Sequence, residues 1–320
     1  MQDLGGMQEL AETRACAIAP SAPLAPVHRR FARFAWGVLA YNVAVILWGA
    51  LVRATGSGAG CGGHWPLCNG AVLPSISQIG TAIELTHRVM SGVALALVAG
   101  MFVSAWKTFA PGHPARRWAN WSLIFILTEA LLGASLVLLG HVARNESVGR
   151  VYSLGLHLIN TFLLLASLAL TAHFTTRPAL RKTAKFSLAL SAPLIALVFV
   201  AIAGAITALG DTLFPAHTLA EGVRNDFSST ASFLIRLRIL HPLLALGAGG
   251  AIALIAIPAC KLRRNPLAGW VLALFLAQVA AGAATILLQA PLPLQLLHLL
   301  IADALWIALV LFTAEAAVRK

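Results

Sequence analysis

Four histidines carry the first chemical signal of this chain. His87, His157, His241 and His298 fall in the second, fourth, sixth and eighth of eight apolar stretches. An imidazole in hydrocarbon must find a partner or cost several kcal/mol, and four at matching positions point to a shared partner, most simply haem iron. Zinc competes. Away from His87, however, these stretches offer no close cysteine or carboxylate at ligand spacing, and haem fits the apolar surroundings better. The other histidines, His28, His64, His113, His141, His173 and His217, fall in loops or at helix ends, where a solvated ring is the default.

Glu84 stands three residues before His87, on nearly the same helix face and about one turn nearer the outside. An intramembrane carboxylate is expensive, so it needs a reason. One is structural: a hydrogen bond to a neighbouring helix, or a charge pair with Arg88. The other is chemical: a general base, or a stabiliser of a cationic intermediate beside a haem edge. The matching position three before His241 is Arg238, so the acidic first half looks catalytic and the basic second half looks fitted to anchor haem propionates. Arg53 and Arg88 are further propionate candidates, or equally interfacial arginines that snorkel. Between the first two stretches a glycine-rich run from Arg53 to Gly70 holds Cys61 and Cys68. On an oxidising face the two can close into a disulfide, as a staple or as a redox-active pair. Cys16 and Cys260 are expected to be free thiols on the opposite face.

The elements that must position these residues are membrane helices. The chain is 59% hydrophobic and 11% charged, with mean hydropathy +0.84, too apolar for a soluble globular protein of 320 residues. Segments long enough to span a bilayer read at roughly 34–53, 80–105, 119–140, 152–174, 186–209, 234–258, 268–288 and 293–315. Residues 1–33, rich in Ala and Pro, read as a disordered tail with no cleavable signal. The net charge of +12 would suggest nucleic acid in a soluble protein, but here Lys and Arg concentrate in the N-terminal tail, the 2–3, 4–5 and 6–7 loops and the C-terminus. That pattern sets topology: it puts both termini in the cytoplasm and the 1–2, 3–4, 5–6 and 7–8 loops outside an inner membrane, and it excludes nucleic acid as a partner. All four histidines then lie roughly 8–13 Å inside the outer ends of their helices.

The chain also repeats itself. Glu129–Ala134 answers Gln278–Ala283 with the same spacing to glycine, Gly49–Ala50 answers Gly204–Ala205, and Leu-His-Leu recurs at His157 and His298. The pieces recur in one order, which predicts an all-α integral membrane fold of two pseudo-symmetric parallel four-helix bundles, residues 34–174 and 186–320, joined by a cytoplasmic linker at 175–185. Small residues at Gly133–Ser135 and Gly282–Ala284 would allow close helix packing.

The loop from Thr55 through Trp65-Pro-Leu-Cys68-Asn-Gly70, the Glu84-Leu-Thr-His87-Arg88 motif and the later His157, His241 and His298 together resemble the haem A synthase family, from about residue 35 to the end. The resemblance implies oxidation of the C8 methyl of haem O to the formyl of haem A for cytochrome oxidase. It also implies His87 and His157 as ligands of substrate haem O, His241 and His298 as ligands of a haem b cofactor, Glu84 as the catalytic carboxylate and Cys61 with Cys68 as the external pair. The implied partners are the lipid bilayer, the haem O-forming farnesyltransferase and a membrane electron acceptor. Some relatives carry a second cysteine pair in the 5–6 loop; this chain has none there. Two other readings remain: a bis-haem electron-transfer protein without substrate oxidation, against which Glu84 argues, and a transporter, which would want paired helix breaks at mid-membrane. A quinol-oxidising cytochrome b usually carries two ligand histidines on one helix; this chain has one per helix.

Overall fold

In the computed structural model the described residues are 26–72, 74–76, 78–176, 188–262 and 265–318. Among them the regular structure is helical, without strands, and includes eight helices long and apolar enough to cross a membrane. These are α1 (Pro26–Ala54), α2 (Ile79–Thr108), α3 (Pro114–Leu138), α4 (Val148–Phe174), α5 (Leu188–Leu213), α6 (Leu240–Lys261), α7 (Leu267–Leu287) and α8 (Leu292–Val318). A helical turn at Phe233–Arg236 leads into α6, and a short helix at Leu219–Asp226 lies in the 5–6 loop. Cys16 and most of the 175–185 linker lie outside the described residues; Cys260 is an exposed free thiol, as expected.

Most helix ends match the apolar windows, but α1 starts at Pro26 rather than near 34. The cause is an aromatic cluster beyond the hydrocarbon. Phe31 meets Phe109 edge-on at 5.0 Å, and His28 and His113 stack on the same ring at 5.2 and 4.4 Å. His113 also caps α3, its Nδ1 accepting from the Ala115 amide at 3.2 Å. Burial, with His28 as a second cause, pushes the His113 pKa down and keeps that nitrogen an acceptor.

Helices α1 to α4 pack in a ring, each on the next and α4 back on α1; α5 to α8 do the same. The rings meet through α1, α4, α5 and α8. About half of the spanning window of α4 and of α8 is buried, far more than in the other helices. Leu165, Leu168, Leu305, Leu309 and Phe312 are fully or nearly fully enclosed there. Apolar burial drives little helix association in lipid, so close packing and interhelical hydrogen bonds, each averaging about 0.6 kcal/mol, must hold the rings together. Trp306 supplies both: its indole N–H donates to the Phe162 carbonyl at 2.8 Å and its ring stacks on Phe162 at 4.6 Å. Ser122 on α3 donates to Ser167 on α4 at 3.0 Å.

The four connecting loops 1–2, 3–4, 5–6 and 7–8 share one face. Gly58 in the first comes against Val142 in the second, and Arg53 at the end of α1 donates to the Ala208 carbonyl at 2.6 Å, to Thr212 Oγ1 at 2.8 Å and to Gln295 Oε1 at 3.2 Å. One arginine thus ties the first ring to α5 and α8 of the second.

Candidate functional site

Each of the four histidines sits on an even-numbered helix and packs its ring over a glycine of the helix before it. A Cβ added at Gly49 would lie 3.0 Å from His87 Cε1, at Gly133 3.7 Å from His157 Cε1, at Gly204 2.8 Å from His241 Cε1 and at Gly282 3.1 Å from His298 Cε1. The sequence repeats at Gly49/Gly204 and Gly133/Gly282 are therefore the seats of the rings. A side chain at Gly49, Gly204 or Gly282 would push the ring out of place.

The rings pair by half. His241 and His298 stand 6.2 Å apart between ring centres with planes at 82°. His87 and His157 are the corresponding two rings of the first half, seated on Gly49 and Gly133. Nδ1 of His87, of His157 and of His298 is buried without a hydrogen-bond partner, whereas His241 Nδ1 pairs with the Val200 carbonyl at 3.0 Å and leaves Nε2 over. Among the described residues no group of three or more His, Cys, Asp or Glu converges as a protein-only metal cage. Two imidazoles per site suit a haem instead, because the porphyrin fills the iron's other positions. Metal–imidazole bonds of about 2 Å on either side of one iron would set ring centres about 6 Å apart, close to the spacing of His241 and His298. The residues fit the group.

Glu84 is buried and both its oxygens are engaged. Oε2 accepts from the Cys61 amide at 2.8 Å and Oε1 pairs with Arg88 Nη2 at 2.6 Å. The charge partner read from the i,i+4 spacing is present; the loop amide was not legible. Arg88 in turn donates to the carbonyls of His64 and Leu67, each at 2.6 Å, so Glu84 and Arg88 clamp the 1–2 loop onto α2. Cys61 and Cys68 form a disulfide, both buried beneath that loop. The loop lies so close that a Cβ on Gly60 would come within 2.5 Å of the Gly80 backbone, and Thr81 Oγ1 donates to the Gly60 carbonyl at 2.8 Å.

Arg238 pairs with Asp211 at 2.6 Å and Asp226 at 2.7 Å. Of the three propionate candidates, Arg88 and Arg238 already hold carboxylates, while Arg53 holds only neutral oxygens.

One residue the sequence reading passed over stands out. Glu129 on α3 accepts from Asn160 Nδ2 at 2.6 Å and from Thr161 Oγ1, and its Oε1 lies 3.6 Å from His157 Nε2. The signal was visible as a second intramembrane glutamate, laid over Gln278 in the repeat. What was missing was its neighbour across the helix interface.

Eight membrane-crossing helices, with a glycine-seated histidine on every second one, define a polytopic helical membrane protein built around paired imidazoles. The chain belongs to the COX15-CtaA family, described as cytochrome oxidase assembly protein, whose sequence model matches residues 32–81 and 76–310. A Thermus thermophilus protein named protoheme IX farnesyltransferase is 45% identical over 302 residues, covering 92% of this chain and 50% of the relative. Proteins named heme A synthase from Bacillus mycoides and Bacillus anthracis are each 44% identical over 98 residues, covering 31% of this chain and 32% of theirs. The chain thus spans about half the length of the Thermus relative it matches.

Proposed function

We propose that this protein is a haem A synthase, oxidising the C8 methyl of haem O to a formyl group in the inner membrane, with both termini cytoplasmic and the two histidine sites toward the outer face. The observation that carries the reading is the set of four glycine-seated histidines, two per ring of helices, in a chain of the COX15-CtaA family. His87 and His157 would hold haem O, and His241 and His298 a haem b cofactor. When bound, the haem irons would supply the redox chemistry. With water as the oxygen source, each of two successive hydroxylations of the methyl would release two electrons and two protons, the gem-diol would lose one water to give the formyl, and a haem held at His241 and His298 would offer those electrons a route toward a membrane acceptor.

The chain's own residues orient the substrate and shield it. An apolar groove between α3 and α4, lined by Leu131, Leu132, Leu156, Ile159 and Leu163 together with Thr128 and Asn160, suits an isoprenoid tail. Glu84 has both oxygens engaged, so a proton taken up there must displace the Cys61 amide or Arg88. A fixed negative charge beside a developing cation is the simpler catalytic role. Arg53, which hydrogen-bonds only neutral oxygens and makes no direct ion pair with a carboxylate, is the leading propionate contact, ahead of Arg88 and Arg238. The haem O-forming farnesyltransferase is the fitting partner, since it would hand on the substrate; the Thermus relative's name and double length support that pairing.

Extraction and separation of the haems from the purified protein tests the reading. Haem b together with haem O or haem A is expected; haem b alone would favour a bis-haem electron-transfer protein. The Glu84→Gln variant sharpens the result, because it keeps shape and hydrogen-bonding capacity and deletes the charge. It should retain both haems, make little haem A and accumulate the hydroxylated intermediate. Normal haem A output would reduce Glu84 to a loop clamp, and loss of all haem would make it a folding determinant.

A further inference from the structure

We infer that Glu129 and Gln278 are matched positioning residues that set the two histidine sites apart electronically, a carboxylate at the ring of His157 and an amide at the ring of His298. The inference rests on the reading of those histidines as haem-iron ligands. Glu129 stands four residues before Gly133, the seat of His157, and Gln278 stands four before Gly282, the seat of His298. Residues four apart share a helix face, so each odd helix offers its histidine a glycine for the ring to lie on and a polar side chain at the ring's edge. Gln278 Nε2 lies 3.1 Å from His298 Nε2, and Glu129 Oε1 lies 3.6 Å from His157 Nε2.

The surroundings differ in a way that matches the side chain. Glu129 is held by Asn160 and Thr161, three and four residues beyond His157, and Thr161 also donates to the His157 carbonyl at 2.9 Å. Three and four residues beyond His298 stand Ile301 and Ala302, which have no side-chain donor. Gln278 Oε1 is buried with no partner. The carboxylate therefore comes with the two donors that hold it in place, and the amide comes without them. A carboxylate at the edge of a metal-bound imidazole raises the ligand's basicity and favours the oxidised metal; a neutral amide does so far less. A haem iron held at His157 would thereby sit at a lower potential than one held at His298, the order that would favour electron transfer from the first half to the second.

The test is a redox titration of the full-length protein, followed by haem absorbance and electron paramagnetic resonance, with haem content measured on the same samples. Glu129→Gln should raise the midpoint of the first-half centre by about 59 mV, a tenfold change in its ferric-to-ferrous ratio, and leave the other centre unmoved. Gln278→Glu should lower the second-half centre by a similar amount. His157→Ala and His298→Ala serve as controls for the ligand reading, which falls if both retain full haem. If those variants lose haem while Glu129→Gln and Gln278→Glu leave both midpoints and both sets of g-values in place, the ligand reading stands and this inference is overturned. Should Glu129→Gln not assemble, Glu129→Asp and Gln278→Glu carry the same comparison.

Discussion

The 1–2 loop and the 5–6 loop close the two halves on the same face, and they are fastened by different chemistry. The first is stapled by the Cys61–Cys68 disulfide and clamped to α2 by Glu84 and Arg88. The second has no cysteine and is drawn together by Arg238, which reaches Asp211 at the end of α5 and Asp226 at the end of the short loop helix. The acid and the base have changed places. In the first half the carboxylate stands three residues before the histidine and the arginine follows it; in the second the arginine takes that position and the acids come from the loop side. In both halves the acid is paired with an arginine, Glu84 with Arg88 and Asp211 and Asp226 with Arg238, but only in the first half does that acid stand on the histidine's own helix, one turn from the ring.

The largest effect should come from removing a ring in the second half. His241→Ala or His298→Ala should abolish the low-spin haem signal of that site, since a six-coordinate b-type centre needs both axial nitrogens. The optical spectrum of the purified variant decides it: a full low-spin signal in either variant would sink the assignment. The corresponding first-half variants should keep that signal, which is what separates the sites.

Smaller, and graded, are the effects of filling the ring seats. Gly204→Ala places a Cβ 2.8 Å from His241 Cε1, closer than such atoms pack, so the ring must swing away and second-half haem occupancy should fall severalfold. Gly49→Ala and Gly282→Ala, at 3.0 and 3.1 Å, should cost less, and Gly133→Ala, at 3.7 Å, should be tolerated. Haem-to-protein ratios across the four variants test the order. A Gly133→Ala loss equal to that of Gly204→Ala would show that the glycines serve helix packing and not the rings.

Much of this was legible in the chain itself. Apolar windows gave the eight helices because a bilayer admits few other solutions, and the histidines announced themselves because an imidazole is costly in hydrocarbon. The repeat at Gly133 and Gly282 was visible, but its meaning was not: a glycine in a membrane helix reads as a helix contact until the ring above it is seen. Arg53 looked like an interfacial arginine, yet its partners Ala208, Thr212 and Gln295 are far away in sequence and belong to the other half. Glu129 was hidden for the same reason, since Asn160 and Thr161 come from the next helix. The start of α1 at Pro26 was missed because stacking of Phe31 and His28 on Phe109 extends a helix past the point where hydropathy stops recording it. Contacts between helices were invisible where the sequence offered no pairing rule.

The last and smallest effect separates the two loop fasteners. Closing the short ring between Cys61 and Cys68 removes loop entropy worth about 2.5 kcal/mol, and Cys61→Ser with Cys68→Ser gives that up while Glu84 can still accept from the residue 61 amide. Asp226→Asn removes one of two partners of Arg238; the Asp211 pair at 2.6 Å remains, and both acids are partly exposed, at 24% and 23%, so screening holds the cost to about 1 kcal/mol or less. Amide hydrogen exchange resolves the two loops separately. Protection in the 1–2 loop should drop by well over tenfold in the double serine variant, and protection in the 5–6 loop by no more than about fivefold in Asp226→Asn. Equal losses would mean that the ion pairs carry as much of the second half as the disulfide does of the first. The contrast between a covalently closed loop and an electrostatically closed one would then be a difference of chemistry without a difference of strength.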